Sequence, residues 1–427
     1  MNPKNLLFCL FTLIHLSVFI PGNTIYAQDQ KVIIGSVIDA NTKEVLPFTS
    51  ITLKKSLIGT ATNEDGIFEI KFSSEIIGDS LFVALLGYKS NTQPLNAIKD
   101  TILIALQKSE IELKEIVVRP LPPTYYIKQA MKNLKETNPK DPFQTEAYYR
   151  EIVMENDNYI VSNEAVFKSY YPNFQDTIKN QHQVLLYRKA NEIKEMSFMK
   201  ERREKKVAKK QAQAKKKGKV LTDEERKGLA ANFGGLEQIL KQADLSKSED
   251  EYLDSTSFKH YNYNFASSSS YDNKILLVID FKSKGNINHV RQSGKIYIDI
   301  ASNAIVKVEE YGDFVIPIAL RPILFLYGFS IDKPKYESIK LFQCVNTRWY
   351  PKNVYFNMSA DFTKTHWFEP DEHSSFSIEG VFNVNKIKIN GTQPIPKEKR
   401  FVPSKKIEPQ VFNDEKINWS DVNIIKK

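Results

Sequence analysis

Alternating apolar and polar positions dominate the first part of the chain after residue 30. A period of two residues is that of a β-strand with one buried face, and residues 31–107 show no helical periodicity. The alternating runs, separated by turn-forming residues, lie at 31–38, 47–54, 67–72, 80–86 and 101–106. Short strands at this spacing predict a small antiparallel β-sandwich.

The pattern changes after a strand predicted at 113–119 and the proline-rich stretch 120–123. Behind Thr124, a suitable N-cap, apolar residues recur at helical spacing at Ile127, Ala130, Met131 and Leu134. Alternation then resumes in two runs, 145–155 and 159–170, which predict a hairpin. Seven longer runs follow, at 258–265, 274–282, 293–300, 304–311, 336–345, 349–359 and 374–389. Consecutive strands with short turns predict an antiparallel meander.

Two segments interrupt the β pattern. Residues 192–243 have helical propensity and are interpreted as an insertion, whose second half begins with a capping-box pattern at 222–225 and is expected to bury Leu236, Ile239 and Leu240. The tail 392–427 is rich in proline and charge, and is expected to be extended or disordered.

Glycines and turn residues in the first 90 residues carry a specific resemblance. The stretches 35–39, 42–48, 59–68 and 79–83, followed by Gly87 and Tyr88, resemble the carboxypeptidase regulatory-like domain in order and spacing. The resemblance implies a transthyretin-like, seven-strand sandwich, as found at the start of Bacteroidetes envelope proteins, including TonB-dependent receptors. It also implies that no motif residue of this domain is catalytic.

Two weaker resemblances concern the rest of the chain. Residues 147–151 and 163–165 resemble the region that follows the sandwich in Bacteroidetes envelope proteins of unknown function. The stretch 294–309 is similar to the repeated hairpin of periplasmic lipoprotein carriers, in which a curved sheet encloses an apolar cavity closed by a helix.

The predicted fold class is therefore mainly β, with a seven-strand transthyretin-like sandwich followed by a larger, curved antiparallel sheet with helical insertions. The predicted domains are a signal peptide at 1–27, the sandwich at 28–119, the helix and large sheet at 120–391 with the insertion 192–243, and the tail 392–427.

The N-terminus predicts export. Lys4 precedes an apolar run at 6–20, and cleavage is expected near Ala27, because about 15 apolar residues are too few to span a bilayer. The expected location is the periplasm, the outer membrane or the cell surface of a Gram-negative bacterium. One cysteine then remains, Cys344, whose alternating surroundings predict a small buried apolar side chain rather than a reactive thiol.

Net charge is concentrated in one segment. The chain of 427 residues has a formal charge of +9, and the segment 200–219 alone carries eleven basic residues against two acidic ones. The basic residues are Lys200, Arg202, Arg203, Lys205, Lys206, Lys209, Lys210, Lys215, Lys216, Lys217 and Lys219. They predict either a solvated helix or contact with an anionic lipid surface. Nucleic acid is not expected as a partner, because the chain is exported and no aromatic residues interleave with the basic ones.

The candidate chemistry is sparse. The run 315–329 is apolar and is either a loop over a core or the mouth of a cavity, formed by Ile316, Ile318, Leu320, Ile323, Leu324 and Phe325. Four residues, His366, Glu369, Asp371 and His373, have zinc-ligand chemistry, but a polar hairpin is the favoured interpretation. Adjacent carboxylates such as Glu309 and Glu310 are weak evidence for a glycosidase. Motifs for serine hydrolases, nucleotides and dinucleotides are absent from the sequence, and no cofactor is expected.

Three hypotheses remain open from the sequence. The first is a non-enzymatic binding or carrier module with an apolar ligand in the second domain. The second is an outer-membrane scaffold that docks a protein partner and touches lipid through its basic segment. The third is a metal-dependent hydrolase that uses His366, Glu369 and His373.

Overall fold

The computed structural model describes residues 30–76, 78–109, 121–156, 158–173, 179–189, 208–213, 215, 239–240, 242–245, 250–316, 321–326, 328–366, 370–403, 405 and 407–425. The expected signal peptide, the strand predicted at 113–119 and most of the basic insertion lie outside these residues. No helix in the described part of the chain is both long and apolar enough to cross a membrane.

Seven strands form the N-terminal sandwich, as predicted. They are β1 (Gln30–Asp39), β2 (Ser50–Leu53), β3 (Gly59–Ala61), β4 (Ile67–Ser73), β5 (Ser80–Ala84), β6 (Asn91–Pro94) and β7 (Thr101–Leu106). One sheet has the order β4-β1-β7 and the other β3-β2-β5-β6. The strands pair antiparallel except for β1 and β7, which are parallel, so the purely antiparallel prediction was wrong at that pair. Val37, Ile51 and Ile70 are fully buried between the sheets.

An 11-stranded sheet forms the second part of the molecule and makes the fold mainly β, as predicted. Two helices precede it, α1 (Pro123–Lys132) and α2 (Leu134–Thr137). Its strands are β8 (Phe143–Glu155), β9 (Asn158–Tyr171), β10 (Gln181–Lys189), β11 (Tyr261–Phe265), β12 (Ser269–Tyr271), β13 (Lys274–Ser283), β14 (Val290–Asp299), β15 (Ile305–Phe314), β16 (Phe329–Val345), β17 (Arg348–Lys364) and β18 (Glu372–Lys388). A third helix, α3 (Arg321–Leu326), lies before β16.

The order of the sheet is β10-β9-β8-β18-β17-β16-β15-β14-β13-β11, with β12 paired to β13, and neighbouring strands are antiparallel. The predicted hairpin and meander are therefore confirmed. The hairpin lies beside the last strand of the meander, so β8 pairs with β18. Each of β16, β17 and β18 is 17 residues long. The first two extend well beyond their predicted runs, whereas β18 nearly matches the run predicted at 374–389.

The two faces of the large sheet are covered differently. The back face, which carries Tyr148, Tyr355 and Val381, packs against the N-terminal sandwich through Ala61 and Phe48. The front face carries the alternate residues of the same strands. Successive residues of a strand point to opposite sides of a sheet, so every second residue of each strand belongs to the front face.

Helix α1 begins one residue earlier than the predicted cap. Pro122 occupies the N-cap position and Pro123 the first helical position, so Thr124 lies inside the helix. Proline suits the first helical position, since its fixed φ matches a helix and the N–H that it lacks would be unpaired there in any case. The predicted apolar side of the helix is confirmed by the buried Ile127 and Ala130.

The C-terminal segment is packed rather than disordered. Its described residues are extended between three short 3₁₀ turns, and Ile395, Val422 and Ile425 are buried. The Arg150 guanidinium of β8 donates a 3.0 Å hydrogen bond to the Ile425 carbonyl. Composition led to the expectation of an extended or disordered tail, and the described residues are extended, held by contacts that lie far apart in sequence.

Candidate functional site

A short segment crosses the front face of the large sheet. It comprises residues 239–240, 242–245 and 250–257, here called the crossing segment. Ile239 and Leu240 are buried against Val354 of β17 and Phe382 of β18, which confirms two of the three burial predictions for the insertion, while Leu236 lies outside the described residues.

Polar contacts also attach the crossing segment to the strands. Ser338 of β16 donates a 2.9 Å hydrogen bond to Gln242. The Lys340 ammonium, also on β16, forms a buried ion pair with Asp250. Farther along, the ring of Tyr252 stacks on Phe281 of β13 with centroids 4.2 Å apart. The segment therefore runs across the sheet from β18 to β13 at one level of the front face.

A buried carboxyl group lies at the far end of this crossing. Glu310 of β15 is 5% exposed and accepts hydrogen bonds from Tyr252 (3.0 Å), from Gln292 (3.1 Å) and from the hydroxyl of Tyr336. Burial raises the pKa of Glu310, and the nearby Asp250 carboxylate raises it further. The adjacent Glu309 points to the opposite face, so the two neighbouring carboxylates cannot act as a pair on one sugar.

Glycine at position 312 makes room for this arrangement. Gly312 lies opposite Tyr336 across the β15–β16 ladder, and any Cβ there would overlap the Tyr336 ring. The missing side chain lets the ring lie across β15, with its hydroxyl reaching Glu310. A glycine in an alternating strand is therefore the sequence signal for this site, and sequence reasoning missed it.

Beyond Glu310 the front face becomes apolar. The rings of Phe314 and Tyr336 lie 5.3 Å apart, and those of Tyr336 and Phe356 lie 6.4 Å apart, so aromatic side chains span β15, β16 and β17. We call the whole apolar surface the aromatic face, and its half-buried residues are Phe314, Tyr336, Phe356, Met358, Phe362 and Ile378.

Two buried carboxyl groups border the aromatic face. The β-ladders place Glu310, Ser338, Phe356, Gly380 and Glu151 in one row across five strands. Four strand spacings separate Glu310 from Glu151, which is about 19 Å. Glu151 accepts a 2.8 Å hydrogen bond from Tyr149. The aromatic face thus begins at Phe356 in this row, here called the polar row, whose two acidic groups already accept hydrogen bonds from tyrosines.

The predicted cavity mouth is only partly described. Ile316 follows β15 and is half-buried, and Leu324 is half-buried in α3. Ile323 and Phe325 also belong to α3, whereas Ile318 and Leu320 lie outside the described residues. Sequence reasoning therefore pointed to the segment between β15 and β16, but missed the aromatic residues on the strands themselves.

A cleft opens at the other end of the front face. It holds about 460 Å³ of atom-free space, part of it open solvent. Buried aromatic rings and prolines form its floor, and Asn138, Asn180 and Asp244 are half-buried at its sides. Asn180 donates a 2.9 Å hydrogen bond to Asp244. None of the predicted cavity-mouth residues that the structure describes lines this cleft.

Three of the four candidate metal ligands, His366, Asp371 and His373, lie in the described part of the chain. His373 lies 3.0 Å from the Thr363 hydroxyl, His366 lies 3.6 Å from Glu372, and Asp371 accepts a hydrogen bond from the His366 backbone. Glu369 lies outside the described residues. Within the described ranges, no group of three His, Cys, Asp or Glu side chains could hold a metal ion.

The basic segment is described at three of its eleven basic residues. Lys209 and Lys210 lie in a helical stretch, Lys215 follows it, and all three are exposed. The other eight lie outside the described residues. Cys344 is half-buried, and burial raises the pKa of its thiol, which is the reverse of what a reactive thiol needs.

Comparison with known families identifies the front of the chain. Residues 33–118 match the CarboxypepD_reg-like domain. The match covers the seven-strand sandwich and confirms the resemblance drawn from its glycines and turns. No curated protein matches the chain.

Several solved structures resemble the chain weakly. A membrane-associated protein of unknown function from Bacteroides fragilis is 12% identical, with 84% of this chain and 98% of that chain covered and a TM-score of 0.15. A DUF1329 family protein from Desulfovibrio piger is 9% identical, with coverage of 64% and 96% and a TM-score of 0.21. Lipovitellin is 6% identical, with coverage of 61% and 26% and a TM-score of 0.24. Similarities of this size assign no function.

Proposed function

We propose that this chain is an exported, non-enzymatic envelope protein that holds an apolar ligand, of the lipid acyl-chain type, against the aromatic face. The single observation that carries the proposal is the apolar surface on the front of β15 to β18, formed by six half-buried side chains. The signal-like residues 1–27 and the regulatory-like domain support the envelope location.

The dimensions of the aromatic face suit a chain-like ligand. Phe356, Met358 and Phe362 follow one another on the front of β17 over six residues, a distance of about 20 Å. Ligand sites are typically apolar and concave with a few placed polar groups, and here Tyr336 supplies both a ring and a hydroxyl at the polar row. An extended acyl chain along β17, with its polar end toward Tyr336, matches this distribution.

Binding of a fluorescent fatty acid tests the proposal. Delipidated full-length mature protein is titrated with dansyl-undecanoic acid, and the change in dansyl emission gives the dissociation constant. We expect Phe356→Ser and Met358→Ser each to weaken binding about tenfold or more. Each substitution removes an apolar side chain whose burial against the ligand contributes about 1.5–3 kcal/mol.

A matched control is available on the sandwich. Leu103 is 63% exposed on β7, so Leu103→Ser removes an apolar side chain of similar size far from the aromatic face. This variant should bind the probe as the wild type does. Equal affinity of all three variants, or no binding by the wild type, would exclude the aromatic face as a lipid site.

A further inference from the structure

Lys352 occupies an unusual position for a lysine. It lies on β17 of the large sheet and is 1% exposed. Its ammonium nitrogen is 3.1 Å from the hydroxyl of Thr52, which belongs to β2 of the N-terminal sandwich. A Cβ atom on Gly59 of β3 would come within 2.5 Å of the same nitrogen, so the glycine provides the space that the amine fills.

Among the described residues, no acidic side chain forms an ion pair with this amine. In the described part of the chain, the hydrogen bond to Thr52 is the one polar contact recorded for the Lys352 side chain. Charged residues close to Lys352 along the paired strands include Lys54 after β2, Lys340 on β16, Lys386 on β18 and Glu146 on β8. Burial alone lowers the pKa of Lys352 to about 7.

The amine lies at the contact between the two parts of the molecule. Next to it, the Ile387 amide of β18 donates a 3.3 Å hydrogen bond to the Leu57 carbonyl, and Ile58 pairs with Lys386. The rings of Phe48 and Tyr355 meet 5.7 Å apart in the same interface. Undocking of the sandwich would therefore bring Lys352 from a dry environment into water.

We propose that Lys352 makes the docking of the N-terminal sandwich on the large sheet depend on pH, with the neutral amine favouring the docked state and the protonated amine favouring release. A buried ammonium without an acidic partner is costly, and its charge is easily hydrated once the interface opens. The neutral amine can form the same hydrogen bond with the Thr52 hydroxyl, and no free energy is lost in burying a charge.

Linkage fixes the direction and size of the effect. In the undocked state the solvated amine has the ordinary lysine pKa of about 10.4. Between that value and the docked value near 7, the undocked state holds one proton more than the docked state. The docking equilibrium constant should therefore fall about tenfold for each pH unit lost in this window, and become constant below it.

Two measurements on the full mature chain test the proposal. Carbon-13 NMR of the lysine ε-carbons, assigned with Lys352→Met, follows the titration of Lys352 directly. Hydrogen exchange of the Ile387 amide, corrected for the intrinsic exchange rate, follows opening of the interface. We expect one lysine to titrate near pH 7, and the protection of Ile387 to fall about tenfold between pH 9 and pH 8.

Lys386→Met is the matched control, because Lys386 lies in the same interface but is exposed. In Lys386→Met, the protection of the Ile387 amide should follow the wild-type pH dependence. In Lys352→Met, this protection should not depend on pH. Titration of Lys352 near pH 10 in the wild type would overturn the proposal without reference to any variant. The same conclusion would follow if Lys352→Met retained the wild-type slope.

Discussion

Glu310 shows at the scale of one residue how burial changes the response to pH. Its raised pKa means that the folded protein keeps a proton on Glu310 at pH values where the unfolded chain has lost it. The contribution of Glu310 to stability is therefore complete at low pH and is lost as pH rises above its ordinary value of about 4.3.

Replacement of Glu310 by Gln should remove this dependence. Glutamine stays neutral, and its amide oxygen can replace the carboxyl oxygen that accepts from Tyr336 and Gln292, so the melting temperature of Glu310→Gln should rise relative to wild type as pH increases from 4 to 8. Thermal unfolding monitored by circular dichroism at several pH values measures the difference. Glu75→Gln, at an exposed position, should leave the pH profile unchanged. Parallel curves for wild type and Glu310→Gln would show that folding does not raise the pKa of Glu310.

Sequence reasoning succeeded where the spacing of apolar residues within one segment marks its buried side. Ile239 and Leu240 could be predicted as buried because helical spacing marks one side of a segment. Glu310 could not be recognised, since its environment comes from Tyr252, Gln292 and Tyr336, which lie 58, 18 and 26 residues away.

At the scale of elements, the alternation of apolar residues predicted the central part of most strands of the large sheet. The ends were missed where the pattern stops: residues 329–335 of β16 include Asp332, Lys333 and Pro334, which favour a loop in isolation. The strand β10 was missed because its buried residues Val184 and Leu185 are adjacent, across a bulge. Neighbouring strands hold these stretches in place, and a single-strand pattern does not contain that information.

The crossing segment makes an element-scale prediction through one glycine. A Cβ on Gly380 of β18 would overlap the Cδ1 atom of Ile239. Gly380→Ala should therefore lower the free energy of unfolding by about 1–3 kcal/mol, as overpacking does in cores. Ile239→Val removes Cδ1, and the double variant should recover about half of that loss.

Urea unfolding of the two single variants and the double variant gives the coupling energy. Gly285→Ala is the control, since a Cβ at Gly285 meets nothing within 4 Å, and it should change stability by less than about 0.5 kcal/mol. Strict additivity of Gly380→Ala and Ile239→Val would mean that the crossing segment does not rest on β18 in solution.

At the scale of the whole molecule, the N-terminal sandwich and the large sheet are connected by contacts that sequence patterns do not predict. The two domains could be recognised separately, from turn glycines in one and long alternating runs in the other. Their docking depends on side chains such as Lys352 and on the C-terminal segment, which pairs with both. Charge and proline content predicted an extended or disordered tail but gave no sign of its contacts, in which Val422 and Ile425 pack with Ala61 of the sandwich and Tyr148 of the sheet.

Asn423 is the residue that joins these three parts. Its side chain accepts a 2.7 Å hydrogen bond from the Lys71 amide of β4 and donates a 3.3 Å bond to the Lys71 carbonyl, and its own carbonyl accepts from Asn385 of β18. Asn423→Ala leaves the Lys71 backbone groups without these partners, so we expect a loss of about 1–3 kcal/mol in the free energy of unfolding. Hydrogen exchange at the Lys71 amide should accelerate together with this loss.

Asn418→Ala separates this long-range role from a local one. Asn418 caps the 3₁₀ turn at Trp419–Asp421 within the same segment and is exposed, so its loss should destabilise that turn but leave the exchange of Lys71 unchanged. If Asn423→Ala and Asn418→Ala had equal effects on Lys71, the segment would act only as a packed chain end. Selective acceleration in Asn423→Ala would instead mean that the last residues of the chain hold the sandwich to the sheet, and that the tail is an integral part of the fold.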